Sequence, residues 1–153
     1  MSATAGDVAA LTELLGREPQ AEFEVVVRGA GGDRPAVIRN APLLHDGTPM
    51  PTRYWLVDPG LSVAVSRLEA GGGVRAAERA VDAAELAAAH AAYAAERDRA
   101  LAAGHEGPRP HGGVGGTRTG VKCLHAHYAY YLAGGDDPVG RWVDDQLAGG
   151  SGS

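Results

Sequence analysis

Cys123, His125 and His127 fall within five residues, in Val121-Lys122-Cys123-Leu124-His125-Ala126-His127-Tyr128, and Cys123 is the only cysteine of the chain. A thiolate and an imidazole suit zinc or another transition metal, and a tetrahedral ion wants three or four donors. The apolar and aromatic continuation to Leu132 predicts a helix over Val121 to Ala133. On that helix Cys123 and His127 are four apart and share a face. His125 sits about 200 degrees away at 3.6 residues per turn, and would join them only in a strand. A helical metal site therefore uses Cys123 and His127 with a ligand from elsewhere, such as His90. Two other readings stay open. Cys123 is a nucleophile whose thiolate is stabilised by the helix N-terminus and Lys122, with His127 or His90 as base. Or it is a small buried apolar residue beside hydrogen-bonded histidines.

A glycine loop leads into this segment: Gly112-Gly113-Val114-Gly115-Gly116-Thr117-Arg118-Thr119-Gly120. The Gly115-Gly116 backbone, free amides at the following helix start, Arg118 and Lys122 suit a phosphate or carboxylate. The loop lacks the Gly-Lys-Ser/Thr ending of a P-loop. Its plain alternative is a glycine-rich connection. Upstream, His90, Tyr93 and Arg97 stand at i, i+3 and i+7 of a long helix, so an imidazole, a phenol and a guanidinium line one face. Either this face looks into a pocket, with Tyr93, Arg97 and Arg53 orienting a ligand, or Leu86, Ala94 and Leu101 supply the packing while Tyr93 and Arg97 snorkel at the edge. The rigid turn Asp46 to Trp55 leads into a strand and either positions ligand contacts or only shapes a connection. Arg67 and Glu69 read as a solvated helix face.

The elements that must position these groups are legible from caps and periodicity. Asp7 caps a helix over Val8 to Leu15 that Gly16 stops. Glu22 to Arg28 and Pro35 to Arg39 form a hairpin, and Arg53 to Val57 a third strand. Helices follow at Leu61 to Ala70, up to Ala80, from Asp82 to about Ala103, and, after Pro138, to Leu147. The fold class is α+β: a small antiparallel sheet of about three strands covered by helices. One domain over 1–148 is expected, with 149–153 as a flexible tail.

At 153 residues the chain can bury a core, and its net charge of -5 argues against a nonspecific nucleic-acid or anionic-membrane binder. A lone cysteine fits a reducing cytoplasm. No apolar run approaches the roughly 20 residues that span a bilayer. No basic-then-apolar leader is visible at the N-terminus.

Several segments together resemble an uncharacterised bacterial family, domain of unknown function 501. They are Gly16-Arg17-Glu18-Pro19, Asp46 to Leu56, Ser66-Arg67-Leu68-Glu69-Ala70, His90-Ala91-Ala92-Tyr93, Gly115-Gly116 and Val121 to Ala126. The resemblance implies no activity. Genes of this family typically lie near those for a septum-formation initiator and an exopolyphosphatase-like enzyme, which implies a cell-division or phosphate-metabolism setting. Relatives carry a cysteine just after the first strand. Here Arg28-Gly29-Ala30 has none, which weakens any two-cysteine metal site. The leading expectation is a polar pocket for a small anionic, phosphate-type ligand. Arg118, Lys122, Gly115 and Gly116 hold the anion, and Cys123, His127 and His90 serve as metal ligands or acid–base groups for hydrolysis. The competing expectation is a noncatalytic module for a cell-division partner, docking through Tyr128, Tyr130, Tyr131 and Trp142.

Overall fold

Thr4, rather than Asp7, starts the first helix. The Thr4 hydroxyl accepts from the Asp7 amide at 3.0 Å, and the Asp7 carboxylate accepts from the Thr4 amide at 3.1 Å. This reciprocal box satisfies two amides that have no partner within the helix, and Gly16 ends the helix in the left-handed region at φ 76°.

A computed structural model describes residues 3–29, 32 and 34–151. In chain order it contains α1 (Ala5–Leu15), β1 (Phe23–Arg28), β2 (Pro35–Asn40), β3 (Tyr54–Leu56), α2 (Pro59–Ala70), α3 (Gly73–Ala80), α4 (Ala83–Arg99), α5 (Leu124–Leu132) and α6 (Pro138–Ser151). A single 3-10 turn covers Val114–Gly116. The strands make one antiparallel sheet in the order β1-β2-β3, with Ile38 opposite Val25 on one side and Trp55 on the other. The fold class is thus the expected α+β. Residues 30, 31 and 33 of the expected hairpin turn lie outside the described residues. No described helix is long and apolar enough to cross a membrane.

Successive side chains of β2 point to opposite faces, and both faces are covered. Ile38 packs with Leu11, Phe23 and Val57 on the α1 side. Val37 packs with Tyr54, Tyr93, Val114 and Tyr130 on the other. A third cluster joins the helices through Val65, Leu86, Leu124, Tyr128, Val139 and Val143.

Three expectations change here. Tyr128 and Tyr130 are buried, and Tyr131 and Trp142 pack against the helical cluster, so the four do not form an exposed docking surface. The face of α4 carrying His90, Tyr93 and Arg97 points inward, with 4 %, 0 % and 1 % exposure, so these side chains do not snorkel. The last helix continues past Leu147 to Ser151.

Each group on that inward face is satisfied by main chain. The Tyr93 hydroxyl accepts from the amides of Arg53 and Tyr54 and so ties α4 to β3. The Arg97 guanidinium donates to the carbonyls of Pro51 at 3.1 Å and Gly112 at 2.9 Å, with longer bonds to Pro110 and His111. It also bonds Asp98 Oδ1 at 3.3 Å. Removing it leaves buried carbonyls without donors, each costing about 1–3 kcal/mol. Arg97→Met should therefore lower unfolding free energy by about 3 kcal/mol in urea titration. Arg99→Ala, at an exposed neighbour, should change it by less than about 0.5 kcal/mol.

Candidate metal centre

The chain approaches the site through Gly120, which holds φ 65°, a conformation that side-chain-bearing residues rarely adopt. Val121 then donates its amide to Glu78 Oε2 at 2.9 Å, and the chain stays irregular through Lys122. Cys123 is extended (φ -148°, ψ 121°) and caps α5, which begins only at Leu124. The expected helix start at Val121 is therefore three residues early. The shift matters chemically, because an extended Cys123 no longer shares a face with His127.

It faces His125 instead. Cys123 Sγ lies 3.9 Å from His125 Nδ1, and Glu69 Oε1 lies 3.2 Å from the same nitrogen. The three donor atoms fall within 4.8 Å of one another. Glu69 comes from α2, whose Ser62, Ser66 and Glu69 occupy i, i+4 and i+7 on one face. His125 Nε2 lies 3.0 Å from the Ser62 carbonyl and 3.1 Å from Ser66 Oγ. A carbonyl only accepts, so Nε2 carries a proton, and Nδ1 faces Glu69 and Cys123. The second carboxylate oxygen, Oε2, accepts from the first amide of α5, Leu124 N, at 2.9 Å. The Glu69 and His125 side chains are thus each oriented by an outer partner, an arrangement also found in protein metal centres. Burial pushes the Cys123 thiol above its ordinary value, and the adjacent Glu69 adds to this against the amides of Ala126 and His125. Burial and Glu69 thus work against the stabilised thiolate expected from the helix N-terminus and Lys122.

His127 and His90 stand apart from this cluster. His127 is fully buried, and its Nδ1–H donates to Asp137 Oδ2 at 2.6 Å. Asp137 Oδ1 accepts from the Val139 and Gly140 amides and so caps α6. His127 Nε2 meets no partner among the described residues. The His90 ring lies against it, centroids 5.5 Å apart, but neither His90 nitrogen is free to join a ligand set. His90 Nε2–H donates to the Gly120 carbonyl at 2.9 Å, and Nδ1 accepts from Val114 N at 3.0 Å.

The glycine loop separates two clefts where one pocket was expected. The first, of about 370 Å³, is lined by His90, Arg97, Asp98, Gly112, Gly113 and Arg118 among others. The second, of about 320 Å³, is lined by Thr52, Trp55, Leu56, Gly115, Cys123 and His125, together with Tyr54 and Ala126. Arg53 belongs to neither; its guanidinium donates to the Asn40 carbonyl at 2.8 Å and lies 3.7 Å from Glu96. Lys122 is exposed, with its Cβ close to Gly115, and lines neither cleft. The loop amides expected to cradle an anion are partly engaged: Gly113 N bonds the Thr117 carbonyl, Gly116 N the Gly113 carbonyl, and Val114 N bonds His90. Arg118, Lys122, Gly115 and Gly116 are therefore not gathered around one point.

The family model described as protein of unknown function (DUF501) matches residues 26–145. The chain belongs to this family. The match runs from the second half of β1 into α6 and includes Glu69, Cys123 and His125 of this DUF501 domain. No curated protein and no solved structure matches the chain.

Glu69 was missed by sequence reasoning, although it lies in a motif already noted, Ser66 to Ala70. Its spacing from Ser62 was the available signal. Because the Cys123 thiol is held protonated by burial, it should react slowly with a disulfide reagent at pH 7 in the folded protein. The rate should keep rising as pH passes the ordinary thiol value of 9.0, where an exposed thiol levels off. Stopped-flow labelling across pH, beside the unfolded chain, measures both.

Proposed function

We propose that this protein binds one transition-metal ion through Glu69, Cys123 and His125 and uses it on a small anionic, phosphate-type ligand in the adjoining cleft. The observation that carries the reading is the convergence of a sulfur, a nitrogen and an oxygen donor at 3.9 and 3.2 Å. Zinc bonds of roughly 2.0–2.3 Å set tetrahedral donor–donor edges of about 3.3–3.7 Å, so small side-chain shifts would seat the ion. A mixed sulfur, nitrogen and oxygen set suits a borderline cation such as zinc. Three protein ligands leave a fourth position open, the pattern of catalytic rather than structural zinc.

Two of the donor residues, Cys123 and His125, line the cleft, beside Trp55 and Gly115. A bound ion would supply positive charge and an acidified water for hydrolysis. Glu69 and thiolate Cys123 would together balance a divalent charge. Lys122, whose Cβ neighbours Gly115, would meet the ligand's anionic group. Arg118 borders the other cleft and takes no part in this reading.

Zinc titration with a chromophoric competitor, on the tag-free protein, tests it. One ion should bind per chain. Cys123→Ser, His125→Ala and Glu69→Gln should each weaken binding by more than about 100-fold, beyond the 10–100-fold that outer partners contribute. His127→Asn should leave it unchanged at matched folding. Absence of binding, or equal binding in all three variants, would overturn the reading.

A further inference from the structure

We infer that His90 is a proton-sensitive latch that holds the Gly112–Gly120 loop closed between the two clefts. Both ring nitrogens are committed to that loop, one near each end. Nε2–H reaches the Gly120 carbonyl and Nδ1 receives the Val114 amide. Only the neutral ring with its proton on Nε2 can make both bonds. A second proton, on Nδ1, would face the Val114 N–H, donor against donor, in a site with 4 % exposure.

The fit is tight. A Cβ on Gly113 would fall 2.5 Å from His90 Nδ1, so the loop backbone lies directly against the ring. Between its anchors the loop carries Gly115 to the Cys123 cleft and Arg118 to the other. Gly120 leads straight into Val121 and the Cys123 cap. Releasing the latch therefore loosens one wall of each cleft together.

The charges around the ring come from several elements. His127 on α5 lies against it and opposes its protonation, while Asp137, which holds His127, favours it. Arg97 and Asp98 on α4 and His111 and Arg118 of the loop share its cleft. Glu78 on α3 holds the amide of Val121, next to the Gly120 anchor. Burial outweighs these and keeps the ring below its ordinary value of 6.5. The folded value is depressed, so the latch contributes fully above pH 6.5 and is lost as pH falls from there through the folded value. The inference goes beyond the metal reading and does not depend on it.

The test is amide hydrogen exchange at Val114, corrected for intrinsic rate, at pH 7 and pH 5 in the metal-free full chain. Protection of Val114 should be lower at pH 5 than at pH 7. Amides of β2 should keep theirs. His90→Gln places an acceptor and a donor in similar positions but does not titrate, and should remove the pH dependence. If His90→Gln perturbs folding, the proton resonances of His90 in the unmodified protein report the same event, titrating together with Val114. An equal loss of protection in β2, a Val114 amide unchanged at pH 5, or the same fall in His90→Gln would each overturn the latch.

Discussion

A guanidinium, a phenol and an imidazole cannot lie buried on one face of a helix unless every donor and acceptor finds a partner. That constraint organises this molecule. On α4, Arg97, Tyr93 and His90 are all nearly inaccessible, and their partners are main-chain groups of segments with little regular structure. Arg97 collects the carbonyls of Pro51 and Gly112. Tyr93 collects the amides that open β3. His90 collects the two anchors of the glycine loop. The helix acts as a rail on which three connections are hung. Side chain to main chain bonding of this kind gives irregular chain a defined position without burying apolar bulk. It suits a protein whose long helix is mostly alanine and offers few large packing groups.

The candidate centre depends on that rail indirectly. The loop pinned by His90 delivers Gly120 and Val121, Glu78 captures the Val121 amide, and Cys123 is left extended at the head of α5. Two turns of α2 then complete the set, with the Ser62 carbonyl setting the proton on His125 Nε2 and Glu69 presenting one oxygen to the cluster and the other to Leu124. The buried pair His127–Asp137 plays a different part. It links α5 to the cap of α6 and packs beneath His90, so the second histidine of the motif serves architecture while the first faces the thiol.

Much of the framework was legible along the chain. Asp82 caps α4, Pro138 starts α6, and the three strands fall within one or two residues of their expected bounds. Caps and periodicity are local, so a linear reading recovers most of them, although α1 is capped by Thr4 and not by Asp7. The failures came where a distant group takes over a local one. Val121 and Lys122 could open a helix, but α5 starts at Leu124, whose amide Glu69 holds from 55 positions away, while Glu78, 43 positions from Val121, holds the Val121 amide before it. Glu69 looked solvated on its own helix because its partners lie 55 positions downstream. The tyrosines of α5 looked available for docking because nothing in their spacing reveals that sheet and helices cover both sides.

The residue types by themselves determined that chemistry, if present, would centre on the one thiol and its neighbouring imidazoles, and that an α+β domain would carry it. Only the tertiary structure decided which imidazole. The reason is stereochemical: on a helix a separation of four aligns two side chains, whereas an extended cap followed by a helix aligns a separation of two. The choice between them was made by hydrogen bonds from α2 and α3, which no spacing within the motif encodes.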